Sequence, residues 1–271
     1  FLLYQFSLAL RGSLHWSDGT EIKSTLRQRL LNNYDKFRDS GSSDLPRVRT
    51  HLREYFVSAS TTLSDLSLSR STRLDRDWTL AVYGGLFEEM FGGVGSELLY
   101  RQPGSRWALG LDLNRVRQRD FRQDLRFRDY QVNTGHLTAY WNTPWQDIEA
   151  SLAAGRYLAG DRGVTLTLAK TFANGARMGA FATKTNVPAA IFGEGSFDKG
   201  IFWSIPLDAV LTGSSRHIGH FAWKPLTRDG GAKVVRPVNL YQDTQWLSPE
   251  AYRYRSAPPP NDRVEDFERT R

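Results

Sequence analysis

The stretch "RWALGLDLNR", residues 106–115, alternates without a break. Trp107, Leu109, Leu111 and Leu113 stand against Gly110, Asp112 and Asn114. A period of two is the period of a β-strand, whose successive side chains point to opposite faces. The pattern recurs along the chain. Phe6, Leu8, Leu10, Leu14 and Trp16 oppose Ser7, Arg11, Ser13 and His15. Ile148, Ala150, Leu152 and Ala154 oppose Glu149, Ser151 and Ala153, and Val164, Leu166 and Leu168 oppose Thr165 and Thr167. Each such segment has one apolar face and one wet face.

Turn signals separate the segments: "SDGT" at 17–20, "QPGS" at 102–105, "AGDRG" at 159–163 and "ANGA" at 173–176. Asn-Gly and Asp-Gly supply the positive φ that tight hairpins need. The spacing predicts about fourteen strands, near 4–16, 19–31, 50–58, 61–71, 76–87, 93–101, 105–116, 129–141, 146–157, 162–172, 175–185, 198–207, 216–224 and 232–241. No helical period interrupts them. Most exceed the five or six residues usual in soluble sheets. An all-β, antiparallel, up-and-down architecture follows, either a soluble sheet protein or a transmembrane barrel.

Two features favour the barrel. The wet faces carry Arg11, Asp112, Asn114, His136 and Thr138, too polar for a packed core. Aromatics gather near strand ends, at Trp16, Tyr100, Trp107, Tyr140, Trp141, Trp145, Tyr157, Trp203 and Trp223. An outer-membrane barrel needs an apolar outer band, aromatic girdles and a polar interior. It must also close, because lipid satisfies no open sheet edge.

Composition narrows the function classes. The 271 residues include no cysteine, which excludes disulfides, thiolate metal sites and a cysteine nucleophile. The net charge is +7, but the basic residues are scattered among acids, as in "LNRVRQRDFRQDLRFRDY" at 113–130, so nucleic acid is not an expected partner. Scattered arginine suits an anionic glycan or a lipopolysaccharide surface. No run approaches the 18–20 apolar residues of a spanning helix. The opening "FLLYQFSLALRGSLHW" has neither a basic leader nor a small-residue cleavage site, and reads as a mature or excised segment. Residues 33–49 read as a polar outer loop. Barrel strands are expected over 1–245, with 246–271, rich in proline and charge, as an extended or disordered tail.

Six blocks in order carry a resemblance: "YGGLFEEMFGGVGSELLYR" (83–101), "SRWALGLDLNRVRQRDF" (105–121), "TGHLTAYW" (134–141), "GRYLAGDRGVTLTL" (155–168), "FGEGSFDKGIFWSIPLD" (192–208) and "PLTRDGGA" (225–232). With them the chain resembles the YjbH/GfcD family of exopolysaccharide-associated proteins, in its C-terminal part. Residues 1–75 fit by pattern alone. The resemblance implies a Gram-negative outer-membrane β-barrel that takes part in secretion or surface assembly of an exopolysaccharide or group 4 capsule. It implies as partners the polymer, outer-membrane lipid and lipopolysaccharide, and periplasmic or lipoprotein components of the same system. Members are longer than this chain, so its strands close alone or join a larger barrel.

Several residues qualify as candidate sites. Glu194 and Asp198, with Ser196 and Lys199, form a polar turn before the strand "GIFWSIPL". A glycosidase or lyase would need two such carboxyls across a sugar cleft, but no apolar pocket flanks them, and rim residues of a barrel is the preferred reading. Glu88 and Glu89, adjacent, would face opposite sides of a strand. His217 and His220, three apart, would also face opposite sides and not share a metal. "GGVGSE" (92–97) lacks the βαβ context of a phosphate loop. No cofactor is expected. Arg11, Arg115, Arg117, Arg119 and Arg122, with Arg126 and Arg128, are the candidates for contact with polymer. The expected function is non-enzymatic polymer export. A polysaccharide-modifying enzyme and a scaffold for periplasmic partners are its alternatives.

Overall fold

The computed structural model describes residues 4–36, 43–146, 148–172, 174–188, 191, 197–207, 218–224 and 229–247. Its strands are β1 (Gln5–His15), β2 (Thr20–Asn32), β3 (Thr61–Arg73), β4 (Trp78–Leu86), β5 (Phe91–Tyr100) and β6 (Trp107–Arg119). β7 (Phe127–Asn142), β8 (Ile148–Arg156), β9 (Arg162–Thr171), β10 (Arg177–Thr185), β11 (Asp198–Pro206) and β12 (Ile218–Trp223) complete the set. All twelve pair antiparallel in chain order in one sheet, β1 to β12. Among the described residues β1 and β12 do not pair, so the sheet is open there.

Alternation sets the two faces. Along β6 every second residue from Ala108 to Val116 is buried and those between are exposed. Its partners keep the phase: Asp112 stands opposite Glu97 on β5 and His136 on β7. The exposed outer face is aliphatic, with Leu113 55%, Leu137 51% and Leu152 51% accessible. The inner face alternates small and polar residues with a few apolar ones. Gly95 shows how tightly that face is filled. A Cβ there would lie 2.4 Å from Asn114 Oδ1 and 2.6 Å from the Tyr83 ring.

The sheet has two unlike ends. At one, five connections have four to six residues, 16–19, 74–77, 101–106, 143–147 and 172–176, and a sixth, 207–217, has eleven. Gly19 (φ 82°) and Gly175 (φ 78°) make the positive-φ turns that their Asp-Gly and Asn-Gly signals predict. Aromatics crowd this end. Trp78 pairs with Tyr100 at 5.0 Å, and Trp107 stacks on Trp141 at 5.0 Å and 5°. The other end carries the long connections 33–60 and 186–197.

Two expected strands are absent. Residues 50–58 form a loop and the short helix α1 (Leu52–Val57). Leu52, Tyr55 and Phe56 recur at the three- and four-residue spacing of one helix face, and Tyr55, the buried one, donates its hydroxyl to the Arg119 carbonyl at 2.6 Å. Residues 232–241 likewise join no sheet; they are irregular up to α2 (Leu240–Asp243). Pro237 has no N–H to give a ladder, and the Asn239 side chain caps the helix instead, accepting from the Gln242 N–H at 3.2 Å. The tail beyond 247 lies outside the described residues.

The core forms where these two non-strand segments cover the inner face. Val48 and Tyr55 of the 33–60 connection, and Ala232, Val234, Val238, Leu240 and Tyr241 from the other segment, pack with Ala81, Tyr83, Phe91, Leu99, Ala108, Val116 and Val132 of the strands.

Candidate functional site

Residues 229–247 run the length of the inner face. They begin at the long-loop end, where the Leu158 N–H donates to the Ala232 carbonyl at 2.9 Å. They finish at the short-turn end, where the Gly104 N–H donates to the Leu247 carbonyl at 2.9 Å. Midway Arg236 meets the sheet. Its Nη1 lies 3.2 Å from Glu97 Oε2 and 3.5 Å from Asp112 Oδ1. Glu97 Oε2 also accepts the Leu240 N–H at 3.1 Å. The polar row continues: Asn114 donates to Asp112 at 2.9 Å, Tyr83 donates to Asn114 at 2.8 Å, and His136 Nδ1 lies 3.5 Å from Asp112. Charges taken from water cost several kcal/mol each unless paired and hydrogen-bonded. This row therefore fixes where the segment docks.

Both ends of the segment are tied. At the long-loop end one Asp229 oxygen accepts the N–H groups of Val48, Arg49 and Thr50 at 2.8, 2.7 and 3.0 Å, and the other accepts the Thr50 hydroxyl at 2.7 Å. Arg49 makes a two-pronged ion pair with Glu88 at 2.8 Å. The Gly231 N–H donates to Asp161 at 2.8 Å. Burial holds the Asp161 carboxyl above the ordinary carboxylate range, against the pull of that N–H. A Cβ on Gly231 would lie 2.7 Å from Thr183 Cγ2, and its φ is 75°, so glycine suits the site on both counts. At the short-turn end Arg101 donates to the Tyr241 carbonyl at 3.0 Å, with its guanidinium 4.7 Å above the Tyr241 ring.

Beside this lining the inner face of β7–β12 is open. A cavity of about 690 Å³ lies between those strands and α2, at the short-turn end. Its floor is aromatic: Tyr140 stacks on Tyr241 at 3.8 Å and 6°, with Phe202 across from them. Its walls are polar. Arg177 pairs with Glu149 at 2.6 Å, and Glu149 Oε2 lies 3.2 Å from the Tyr241 hydroxyl and 3.5 Å from Gln245 Nε2. His220, Asn239 and Gln242 complete the polar set.

Comparison with known proteins gives a match over residues 1–245 to the family described as exopolysaccharide biosynthesis protein YbjH. The chain belongs to the YjbH family. Its sequence is 44% identical over 251 residues to the Escherichia coli (strain K12) protein named uncharacterized lipoprotein YjbH. That alignment covers 90% of this chain and 36% of the relative, so the chain spans about a third of the relative's length. No solved structure matches.

Within this YjbH-family sheet the expected arginine set divides. Arg11 is exposed on β1, opposite Thr25 on the inner-face phase. Arg115 and Arg117 share the outer face with Leu109, Leu111 and Leu113, at the long-loop end of β6. Arg117 donates to the Arg128 carbonyl at 2.6 Å. Arg122 lies exposed in the 120–126 connection, Arg126 pairs with Asp124 at 2.5 Å, and Arg128 lies 4.2 Å from the Phe121 ring. Arg119 is different, being wholly buried. Its guanidinium donates to the carbonyls of Ser64 (3.0 Å), Glu88 (2.6 Å), Leu63 (2.6 Å) and Asp124 (3.1 Å).

The acidic candidates also separate. Glu88 and Glu89 occupy the 87–90 turn rather than a strand; Glu88 binds Arg49, and Glu89 binds Arg27. Asp198 opens β11, buried, with Lys224 at 3.1 Å, while Lys199 lies 4.9 Å from the Phe197 ring. Glu194, Ser196 and His217 lie outside the described residues. "GGVGSE" is part of β5. The sequence reading missed Arg236, Asp229 and α2. Arg236 follows two valines and precedes a proline in a stretch whose alternation imitates a strand, so no local signal marks it.

Proposed function

We propose that this chain forms wall and lining of a Gram-negative outer-membrane β-barrel that takes part, without catalysis, in secretion or surface assembly of an exopolysaccharide. The observation that carries the reading is the contrast between the faces. Leu109, Leu111, Leu113, Leu137, Leu152, Val164, Leu166 and Leu168 are all at least 40% exposed on one continuous face, opposite buried Glu97, Asp112, Asn114 and His136. A water-soluble protein rarely exposes so large a contiguous apolar surface, whereas lipid requires one. The aromatic cluster at the short-turn end supports an interfacial girdle. By the length rule of outer-membrane barrels, that end is the periplasmic one.

Closure is part of the proposal. β1 meets β12, or both edges meet further strands of a longer protein, since lipid leaves no edge unpaired. The partners proposed are the polymer, outer-membrane lipid and lipopolysaccharide, and lipoprotein or periplasmic components of the export system. Membership of an exopolysaccharide biosynthesis family supports them. Fractionation of the full-length native protein tests the reading. Recovery with outer membranes and heat-modifiable migration is expected; recovery in the soluble periplasm without detergent would sink it.

A second reading is favoured by one observation, the lining itself. With residues 229–247 tied along the inner face, the wall would scaffold partners and transport nothing. Conductance of the purified full-length protein in planar bilayers separates the two. Export predicts openings, continuous or gated, and scaffolding predicts none under any condition that supports polymer assembly.

A further inference from the structure

We infer that the cavity between β7–β12 and α2 is a binding site for a short run of hydroxyl-rich sugar units. The inference rests on the proposed export reading for the identity of the glycan and adds to it a place and a set of contacts. Its volume, about 690 Å³, lies within the ~300–1,000 Å³ of ordinary ligand sites. The lining has the two ingredients that a pyranose needs. A sugar ring offers an apolar C–H face, which packs on an aromatic surface, and a rim of hydroxyls, each both donor and acceptor.

The aromatic floor is rigid. Tyr241, 3% exposed and covered by Tyr140 at 3.8 Å and by the Arg101 guanidinium at 4.7 Å, is a fixed backing, and the rings left to meet a sugar are those of Tyr140 and Phe202. The rim is mixed in polarity, as hydroxyls require. Glu149 accepts, Arg177 donates, and Gln242 and Gln245 do both. Arg177 Nε is buried and makes no hydrogen bond among the described residues, although Nη2 is spent on Glu149. Nε is closed to water and to a ligand alike, so Arg177 serves the site through the accessible part of its side chain, which lines the cavity. Gln242 and Gln245 lie three apart on the short helical turns and are both exposed. They present two amides to the cavity without serving the core.

The position suits a polymer being handed along the wall. The cavity lies at the short-turn end, between the strands and the last part of residues 229–247. Its paired Glu149 and Arg177 give little local net charge. The contacts are therefore hydroxyl-directed, weak and repeatable, rather than a single ionic clamp.

The test uses the full-length protein in detergent, titrated calorimetrically with oligosaccharides released by mild acid hydrolysis of the producing cell's own exopolysaccharide. Saturable binding is expected. The double variant Gln242→Ala/Gln245→Ala should weaken it at least tenfold, and Arg177→Gln at least fivefold, with heat-modifiable migration unchanged. The exposed glutamine pair guards against a folding artefact. Wild-type protein that shows no saturable binding, or a glutamine double variant that binds as wild type, overturns the site. Membrane fractionation of the same preparations tells the two proposals apart. An outer-membrane protein that binds no glycan loses only the cavity, while a soluble protein that binds it loses only the export wall.

Discussion

Arg236 reaches Glu97 at 3.2 Å across the inner face of the sheet, joining the segment after the last strand to the middle of β5. Glu97 is 1% exposed, and Asp112, 3.5 Å from the same guanidinium nitrogen, is nearly as buried. Removing the cation leaves two carboxylates in a site that water cannot reach. Arg236→Gln should therefore cost about 3–5 kcal/mol, the usual penalty for breaking a buried pair. The loss should fall first on docking of 229–247. Hydrogen exchange at the Leu240 amide, which donates to Glu97 at 3.1 Å, should accelerate sharply. Adding Glu97→Gln should recover part of the loss by removing one orphaned charge. Undiminished protection at Leu240 in the single variant would show that apolar packing alone holds the segment.

Asp229 does at the long-loop end what Arg236 does in the middle. Three consecutive N–H groups, of Val48, Arg49 and Thr50, converge on one of its oxygens. Asp229→Ala orphans all three, and a hydrogen bond to a charged group is worth about 1.5–3 kcal/mol. A loss at the upper end of that range is expected, read as faster exchange at residues 48–50 with β6 and β7 unaffected. Asp229→Asn, which keeps an acceptor, should lose less than half as much. Equal losses would mean that shape rather than charge organises the loop.

How much of this was written in the sequence differs from place to place. β6 was legible because Trp107 to Val116 alternate on an uninterrupted ladder, and β9 because the turn signals at 159–163 and 173–176 bound it. The same logic misread 232–241. Ala232, Val234, Val238 and Leu240 do alternate and are buried, but their backbone has no neighbouring strand, and periodicity cannot report the absence of a neighbour. Residues 50–58 failed for a different reason: six helical residues are too few to outweigh a period-two window. The cavity was not legible at all. Tyr140 and Tyr241 are about a hundred residues apart, and only the return of the chain along the inner face stacks them.

Arg119 tests the distinction between arginines that touch a partner and arginines that build the wall. The strand pattern breaks at it: Gln118 and Arg119 are both buried, and the pairing of β6 with β7 shifts between Arg117 and Arg119. Four carbonyls, two from the start of β3 and one each from the 87–90 and 120–126 connections, converge on its planar fork. Lysine has a single point charge and cannot span them. Arg119→Lys should cost about 3 kcal/mol or more through unsatisfied carbonyls. Arg115→Ala and Arg117→Ala, exposed on the outer face, should stay within about 0.5 kcal/mol of wild type. Thermal loss of heat-modifiable migration measures all three. An Arg119→Lys protein as stable as wild type would overturn the structural role.

Asp161 gives the docking of 229–247 a pH dependence whose sign is set by burial. Its folded carboxyl titrates above the ordinary value of 3.8. Below that value both folded and unfolded forms carry the proton, and docking pays nothing for burying a charge at Asp161. As pH rises, the unfolded form ionises first, so stability falls until the folded carboxyl has ionised too. The slope within that window is at most about 1.4 kcal/mol per pH unit for one proton. Asp161→Asn keeps an acceptor for the Gly231 N–H and carries no charge, so its opening free energy should be flat through the same window and above wild type at neutral pH. Protection factors at the Gly231 amide, corrected for intrinsic exchange between pH 4 and 7, measure the difference. A wild-type protection that rises with pH, or a variant that follows the wild-type slope, would assign the dependence to another group.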